Sequence, residues 1–122
     1  MLISRGDIVS VDLEPIIGSE TGKTRPCLVI QNDVINEYAP TTIIVVITSK
    51  RRLENKKKYR THVWIDKGEG NLTLDSIVQC EQIRTIDKRR IKNKIGHLDD
   101  NFMEKVEEAV KIVLSMGEDY KF

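Results

Sequence analysis

Apolar and polar positions along most of this chain follow the patterns of short β-strands. Residues 8–13 alternate, which predicts a half-buried strand that ends before Pro15 and Gly18. Residues 27–31 and 43–47 are nearly continuous apolar runs rich in β-branched side chains, which predicts strands covered on both faces. Further strands are predicted at residues 61–65, 76–80 and 83–86, with a bend at Glu81 and Gln82. Short strands at this spacing indicate a small closed or half-open barrel.

The last part of the chain has the period of a helix instead. Asp99 or Asp100 is predicted to be its N-cap, and Gly117 is predicted to end it. The apolar residues at helical spacing are Phe102, Met103, Val106, Ala109, Val110 and Val113. We therefore expect one amphipathic helix packed on the barrel. Between the two apolar runs, Asn32, Asp33 and residues 36–40 are typical of turns, which predicts a loop there.

Length and composition are those of an ordinary globular protein. At 122 residues, 39% of them hydrophobic and 32% charged, we expect a single domain over residues 1–122. No apolar run approaches the ~20 residues that span a membrane. The N-terminus enters a strand pattern at once and has no signal-peptide layout, so we expect a cytoplasmic protein.

Cysteine and histidine offer little chemistry in this sequence. Cys27 and Cys80 lie in apolar runs and form no C-x-x-C pair, so buried thiols are expected and a metal site is not. There is no G-x-S-x-G elbow, Walker loop or H-E-x-x-H motif. His62 is predicted to lie on a strand and His97 in a loop before the helix, and we expect structural or solvent roles for both.

The net charge is only +1, but the charges are segregated along the chain. One basic segment contains Lys50, Arg51, Arg52, Lys56, Lys57, Lys58 and Arg60, and another contains Arg84, Lys88, Arg89, Arg90, Lys92 and Lys94. The acidic residues gather from Asp99 onward. Basic patches under a neutral total are typical of proteins that bind a polyanion or an acidic partner, although an ordinary solvated surface has the same composition.

The remaining candidates for chemistry are a polar loop and one strand end. The loop of residues 19–26 carries Ser19, Glu20 and Arg25, and Thr48 ends the apolar run that follows. An arginine beside hydroxyl groups and one acid is suited to a planar anionic group, above all phosphate. A surface ion pair between Glu20 and Arg25, with Thr48 as a simple strand end, accounts for the same residues without any activity.

Seven motifs in order resemble those of the MazF/PemK toxin family. They are RGDIV, GSE, RP, VIQND, ITS, THV and EQIRTIDK, beginning at residues 5, 18, 25, 29, 47, 61 and 81. The resemblance extends from about Arg5 to the end of the final helix and is strongest to the branch found in Gram-positive bacteria. By the family's pattern, Arg25 and Thr48 match the catalytic pair, while Ser19, Glu20 and Gln82 match residues that line the RNA groove.

The resemblance implies a mainly β (α+β) fold, an SH3-like antiparallel barrel with a C-terminal helix, which is also found in the gyrase-poisoning toxin CcdB. It implies a homodimeric toxin of a type II toxin–antitoxin system that arrests growth as a sequence-specific, metal-independent endoribonuclease of single-stranded mRNA, with no cofactor. It also implies that a labile MazE-like antitoxin lays an acidic segment along the RNA-binding surface. DNA is then contacted only indirectly, through the antitoxin complex.

The residue types agree with RNA cleavage by internal attack. The substrate's own 2′-hydroxyl attacks the phosphate and leaves a 2′,3′-cyclic phosphate and a free 5′-hydroxyl, so the enzyme has to orient the phosphate and offset its developing charge. Arg25 has two donors for the phosphate oxygens and Thr48 has one. Because arginine stays protonated in proteins, we assign Arg25 to electrostatic stabilisation first, and Glu20 is the other candidate for the general base.

The RNA-binding candidates beyond the loop are Tyr59, Glu81 and Gln82. Tyr59 lies among lysines and Arg60, where it is a candidate stacking platform for a base, or a side chain that merely covers the barrel mouth. The loop from residue 50 to 60 is unusually basic, and Arg60 precedes Thr61 where relatives commonly have proline. The cut motif therefore does not carry over from the family.

Two other functions fit the same barrel. One is a non-catalytic binding module, either a CcdB-like gyrase poison or an RNA-binding domain, and the other is a degenerate relative that only binds antitoxin. Neither needs the set of Glu20, Arg25 and Thr48. The intact set favours the ribonuclease.

Overall fold

Six strands form one antiparallel sheet in the computed structural model, which describes residues 2–49 and 59–117. The strands are β1 (Asp7–Asp12), β2 (Thr24–Val29), β3 (Thr41–Ser49), β4 (His62–Ile65), β5 (Ser76–Asp87) and β6 (Ile91–His97). Their order across the sheet is β4-β5-β3-β2-β1-β6. Helix α1 (Asp33–Tyr38) and helix α2 (Asp100–Val113) complete the fold, with short 3-10 turns at Glu69–Asn71 and Lys88–Arg90. The predicted fold class is confirmed, and the sheet is half-open, since β4 and β6 are its two edges within the described residues.

The central strands are buried on both faces, as their continuous apolar runs predict. Leu28, Val45 and Ile47 point to the face that helix α2 covers with Met103, Val106 and Ala109. The neighbouring residues of the same strands point the other way. They belong to a second buried cluster, which consists of Ile3, Val9, Val11, Leu13, Cys27, Val29, Ile44, Val46 and Ile86. Side chains that follow one another along a strand alternate between faces, so a strand that is apolar at every position needs a core on each side.

Helix α1 lies where the sequence predicts only a loop, and this prediction was wrong. The Asn32 side chain caps the helix by accepting a hydrogen bond from Val34 N at 2.7 Å. Asn36 is buried inside the helix, where its Oδ1 accepts from Thr42 Oγ1 at 2.7 Å and from Gln31 Nε2 at 2.9 Å. Asparagines are also the usual residues of turns, and six residues are too few to show a helical period.

Strand β6 is the second element that the pattern did not predict, and His97 ends this strand instead of lying in a loop. Its middle residues, Lys92, Asn93 and Lys94, are exposed at the edge of the sheet, where charged residues discourage pairing with other chains. Polar residues at three successive positions hide the alternation from which a strand is recognised. On the neighbouring strand, His97 pairs with Asp7, the first residue of β1.

Asp7 is a buried carboxylate, 2% exposed, that ties the N-terminal segment to β6. Its Oδ1 lies 2.8 Å from His97 Nδ1, while its Oδ2 accepts from Ser4 N at 2.8 Å and pairs with Lys94 Nζ at 3.2 Å. Burial by itself raises the pKa of this carboxyl, but the bonds from His97, Ser4 and Lys94 outweigh burial and lower the pKa below its usual value.

Helix α2 begins where predicted and ends earlier. Asp99 is the N-cap, and its Oδ1 accepts from Phe102 N at 3.1 Å. The helix ends at Val113, four residues before Gly117, because Ser115 adopts a left-handed conformation with φ of 56°. None of the helices in the described ranges has the length and apolar character needed to cross a membrane.

Candidate active site

Arg25 lies inside strand β2, although the sequence predicts it in the loop before the strand. It is the register partner of Val11 on β1 and is half-buried. Its Nε donates a hydrogen bond to Gly22 O at 3.2 Å. Because the nitrogen atoms of a guanidinium share one plane, this bond constrains the orientation of the whole group. The backbone of Arg25 therefore belongs to a strand, and the Gly22 carbonyl of the preceding loop constrains the orientation of its side chain.

Thr48 lies on the neighbouring strand β3 and is 4% exposed. The β2–β3 ladder pairs Cys27 with Val46, so Arg25 lies two residues before the paired part of β2 and Thr48 two residues after the paired part of β3. The paired residues of the ladder begin at Cys27, directly after Pro26, whose nitrogen has no hydrogen to donate. Arg25 and Thr48 thus lie at an end of the β2–β3 pair where the backbones are not joined.

The loop between β1 and β2 supplies two more of the predicted residues, Ser19 and Glu20. Both are exposed, and together with Arg25 they line a shallow pocket of about 290 Å³. Glu20 Oε1 accepts from Ile17 N at 2.6 Å, and Glu20 N donates to Ile17 O at 3.2 Å, so this side chain closes a tight turn. Among residues 2–49 and 59–117 the ion pairs do not join Glu20 to Arg25, which disfavours the simple surface pair.

Three side chains that sequence reasoning did not single out hold this loop in place. Glu14 Oε1 accepts from Lys23 N at 2.8 Å across the loop base. Arg84 Nη1 and Arg90 Nη1 donate to backbone carbonyls at the start of the loop. The sequence marks the two arginines only as members of a basic segment, because their contacts span more than 70 residues.

The bend predicted in β5 is confirmed as a register shift opposite β3. Val45 pairs with Ile83 and Val46 with Gln79, which leaves Cys80, Glu81 and Gln82 as extra residues on β5. Glu81 is exposed and Gln82 is half-buried. A shift of this kind bends a strand and turns its side chains to a new direction, so these two residues leave the regular alternation of β5.

His62 brings two of the RNA-binding candidates together. Its Nε2 lies 3.2 Å from Glu81 Oε2, and the Tyr59 ring packs edge-on against the imidazole with 5.5 Å between centroids. Tyr59 remains 41% exposed. Among the predicted residues, Ser19, Glu20 and Arg25 line one pocket, and Tyr59 and Glu81 both contact His62, for which a structural or solvent role was expected. No hydrogen bond in the described residues joins the side chain of Thr48 or Gln82 to either group. Lys50 to Lys58, which make up most of the predicted basic loop, lie outside the described residues.

Both cysteines are buried and free, as expected. Burial raises the pKa of each thiol to about 12, so both stay protonated near neutral pH. Within the part of the chain that the structure describes, no three His, Cys, Asp or Glu side chains are grouped to hold a metal ion.

Comparison with known proteins gives consistent relatives over nearly the whole chain. A family model described as PemK-like, MazF-like toxin of type II toxin-antitoxin system matches residues 4–114. Endoribonuclease EndoA of Bacillus subtilis (strain 168) is 48% identical over 116 residues, which are 95% of this chain and 97% of that protein.

Solved structures with the same fold are more distant in sequence. MazF from Deinococcus radiodurans has a TM-score of 0.79 at 21% identity, covering 95% of this chain and 99% of that one. An endoribonuclease in complex with its cognate antitoxin, from a mycobacterial species, has a TM-score of 0.75 at 20% identity, covering 94% of this chain and 97% of that one. At these identities the likeness concerns the fold alone.

Proposed function

Because this chain belongs to the PemK-like, MazF-like toxin family of type II toxin–antitoxin systems, we propose that it is a metal-independent endoribonuclease of single-stranded RNA. Family membership confirms the resemblance expected from the motifs. The observation that supports the activity is that Arg25 on β2 lines one pocket with Ser19 and Glu20, while Thr48 is buried near the end of the adjacent strand β3. A relative with 48% identity that is named an endoribonuclease supports the same activity.

In the proposed reaction the 2′-hydroxyl of the substrate attacks the adjacent phosphorus. The new O–P bond forms as the bond to the 5′-oxygen breaks, giving a 2′,3′-cyclic phosphate and a 5′-hydroxyl. One proton leaves the 2′-oxygen and one reaches the departing 5′-oxygen. Arg25 donates to the phosphate oxygens from its guanidinium, and Thr48 adds one hydroxyl donor. Donors already held in place cost no reorganisation when charge develops in the transition state.

Glu20 is the proposed base, and its position sets limits on that role. One carboxylate oxygen already accepts the Ile17 N–H at 2.6 Å, so the proton of the 2′-hydroxyl has the other oxygen as its acceptor. Glu20 and Arg25 line the same pocket, which brings an acceptor and a phosphate-binding donor to one side of the sheet. A Glu20→Gln variant that keeps the wild-type pH–rate profile would assign Glu20 to RNA binding instead.

The RNA-binding residues proposed are Ser19, Tyr59, Glu81 and Gln82. Ser19 is exposed and lines the pocket of Arg25 and Glu20. Gln82 lies in the register shift of β5, where it has no register partner on β3. Tyr59 presents part of its ring to solvent beside His62, which suits stacking on a splayed base. Glu81 Oε2 lies 3.2 Å from His62 Nε2. In addition to this contact, the contribution that we propose for Glu81 is to accept hydrogen bonds from the edge of a base.

We further propose one toxin domain over residues 1–122, acting in the cytoplasm as a homodimer that a MazE-like antitoxin inhibits. The antitoxin complex of a mycobacterial relative with this fold supports the last point. DNA contact is proposed only through the antitoxin. If the antitoxin places an acidic segment on the RNA site, an acidic antitoxin peptide competes with RNA in a fluorescence-polarisation assay, and simultaneous saturation by both would contradict the shared site.

The test of the function is cleavage of a long RNA by purified protein in EDTA, with the cut ends mapped. Discrete cuts with cyclic phosphate ends are expected, together with a large loss of rate in Arg25→Ala. Arg5→Ala is the matched control, because Arg5 is also half-buried but pairs with Glu107 of α2 at 2.6 Å. A substrate with a 2′-deoxy sugar at the cut site should resist cleavage, because it lacks the attacking hydroxyl. Intact RNA, or full-rate cutting by Arg25→Ala, would overturn the proposal.

A further inference from the structure

Two arginines that are distant in sequence contact the start of the loop between β1 and β2. Arg84 Nη1, on β5, donates to Leu13 O at 2.9 Å. Arg90 Nη1, at the turn before β6, donates to Asp12 O at 3.1 Å and also to Glu14 O. Three successive carbonyls, of residues 12 to 14, are thus held by two cationic donors. Hydrogen bonds from a charged donor are stronger than those between neutral groups.

The geometry of these arginines differs from that of their exposed neighbour. Arg84 and Arg90 are both half-buried and reach back across more than 70 residues. Arg89, which lies between them in sequence, is exposed and bonds only to Asp87, two residues away, among the described contacts. The basic segment is therefore not one uniform exposed patch, since Arg84 and Arg90 contact backbone carbonyls of the β1–β2 loop.

Hydrogen bonds continue from these carbonyls to the candidate catalytic arginine. Glu14 Oε1 accepts from Lys23 N at 2.8 Å, and Leu13 N donates to Lys23 O at 3.0 Å, so the two ends of the loop are joined. A Cβ added to Gly22, the residue before Lys23, would lie 2.8 Å from Glu14 Oε1, so the glycine leaves room for this carboxylate. The Gly22 carbonyl accepts from Arg25 Nε at 3.2 Å. A displacement of residues 12–14 therefore reaches the acceptor that orients Arg25.

We propose that Arg84 and Arg90 are positioning residues, which hold the base of the β1–β2 loop so that Arg25 and Glu20 meet the RNA in a fixed arrangement. This inference rests on the proposed ribonuclease activity. Both arginines act through backbone carbonyls and not on the RNA. A displacement of about 1 Å in a catalytic group costs up to roughly 100-fold in rate, so losing either clamp is expected to slow the chemical step by about 10- to 100-fold.

The experiment compares Arg84→Met and Arg90→Met with wild type, and uses Arg5→Met as the matched control. Single-turnover cleavage at saturating RNA measures the chemical step, and RNA affinity is measured over a range of salt concentrations. We expect a slower step in both variants, with RNA affinity and the slope of log Kd against log salt unchanged. Arg5→Met should match wild type in all three. A slope reduced by about 0.7 with an unchanged rate would show a phosphate contact instead, and would overturn the inference.

Amide hydrogen exchange of residues 14–23 supplies a readout that does not depend on cleavage. Faster exchange there in Arg90→Met, but not in Arg5→Met, is expected, and equal exchange would contradict the clamp. If Arg90→Met does not fold, Arg90→Lys keeps the charge and reaches one carbonyl, so a smaller loss of rate is expected. Should wild-type protein fail to cleave RNA, the proposed function fails, while the exchange measurement still decides whether the clamp exists.

Discussion

Replacing Thr48 by valine removes one hydroxyl from the candidate active site and little else. Valine has the same branched shape as threonine and is well suited to a strand. Thr48 is 4% exposed and lies opposite Ile77 on β5, so an added methyl group faces an apolar surrounding. The free energy of unfolding of Thr48→Val is therefore expected to lie within about 1 kcal/mol of the wild-type value.

The expected loss of activity follows from the number of donors removed. Thr48 contributes one hydroxyl, and deleting one preorganised donor to a developing oxyanion costs about 3–4 kcal/mol of transition-state stabilisation. That corresponds to a fall of roughly 10²- to 10³-fold in the single-turnover rate. The Arg25 guanidinium remains in Thr48→Val, so the residual rate should still exceed that of an Arg25→Ala, Thr48→Val double variant.

Thr42→Val is the matched control on the same strand. Thr42 is fully buried, and its Oγ1 donates to Asn36 Oδ1 at 2.7 Å, far along β3 from the candidate site. Because Asn36 Oδ1 keeps its bond from Gln31, the control loses one hydrogen bond, or about 1 kcal/mol of stability. Its cleavage rate per folded molecule should equal that of wild type.

The assay is single-turnover cleavage of a fluorogenic RNA in EDTA, with unfolding in urea measured for each protein. Thr48→Val should be slow and stable, and Thr42→Val fast and less stable. A wild-type rate in Thr48→Val, or equal loss of rate in both variants, would refute a transition-state role for the Thr48 hydroxyl.

Three further predictions concern the fold. Asp7→Asn should lower the free energy of unfolding at pH 7 by about 2–3 kcal/mol, because a buried, charge-assisted network is broken. The folded-state pKa of Asp7 is lowered, so the extra free energy of unfolding of wild type over Asp7→Asn should be fully present above pH ~4, the ordinary aspartate pKa. This difference should disappear as the pH falls through the lowered pKa. A difference that grows in acid would contradict the prediction. Gly96→Ala should destabilise by about 2–4 kcal/mol in urea unfolding, because its Cβ would lie 2.1 Å from Gly70 O. Gly18→Ala is the comparison, where a Cβ meets open space and only the left-handed backbone, with φ of 56°, adds strain of about 1 kcal/mol, so a smaller loss is expected. Cys27 and Cys80 should react with a thiol reagent at pH 8 only after unfolding, and rapid reaction of the native protein would be inconsistent with thiols whose pKa is about 12.

Strands β2 and β3 were predictable because the signal for each is local. A run of β-branched residues specifies a strand without reference to its partners, and runs that are apolar at every position also specify burial on both faces. The same locality explains the two elements that were missed. Helix α1 has Asn32 as its N-cap and Asn36 as its buried residue, and asparagine is equally typical of turns. Strand β6 carries the charged residues of an exposed edge.

The sequence by itself determined strands β1 to β5, the C-terminal helix and the set of Ser19, Glu20, Arg25 and Thr48 as candidates. The tertiary structure alone decided how they meet. The pairing of β2 with β3 makes the strands of Arg25 and Thr48 neighbours across 23 residues of sequence, and the paired residues begin at Cys27, directly after Pro26, which has no N–H. The carbonyl contacts of Arg84 and Arg90 also exist only in the folded chain. A periodic pattern records which face a residue takes, but pairing between strands depends on long-range contacts that no short stretch of sequence contains.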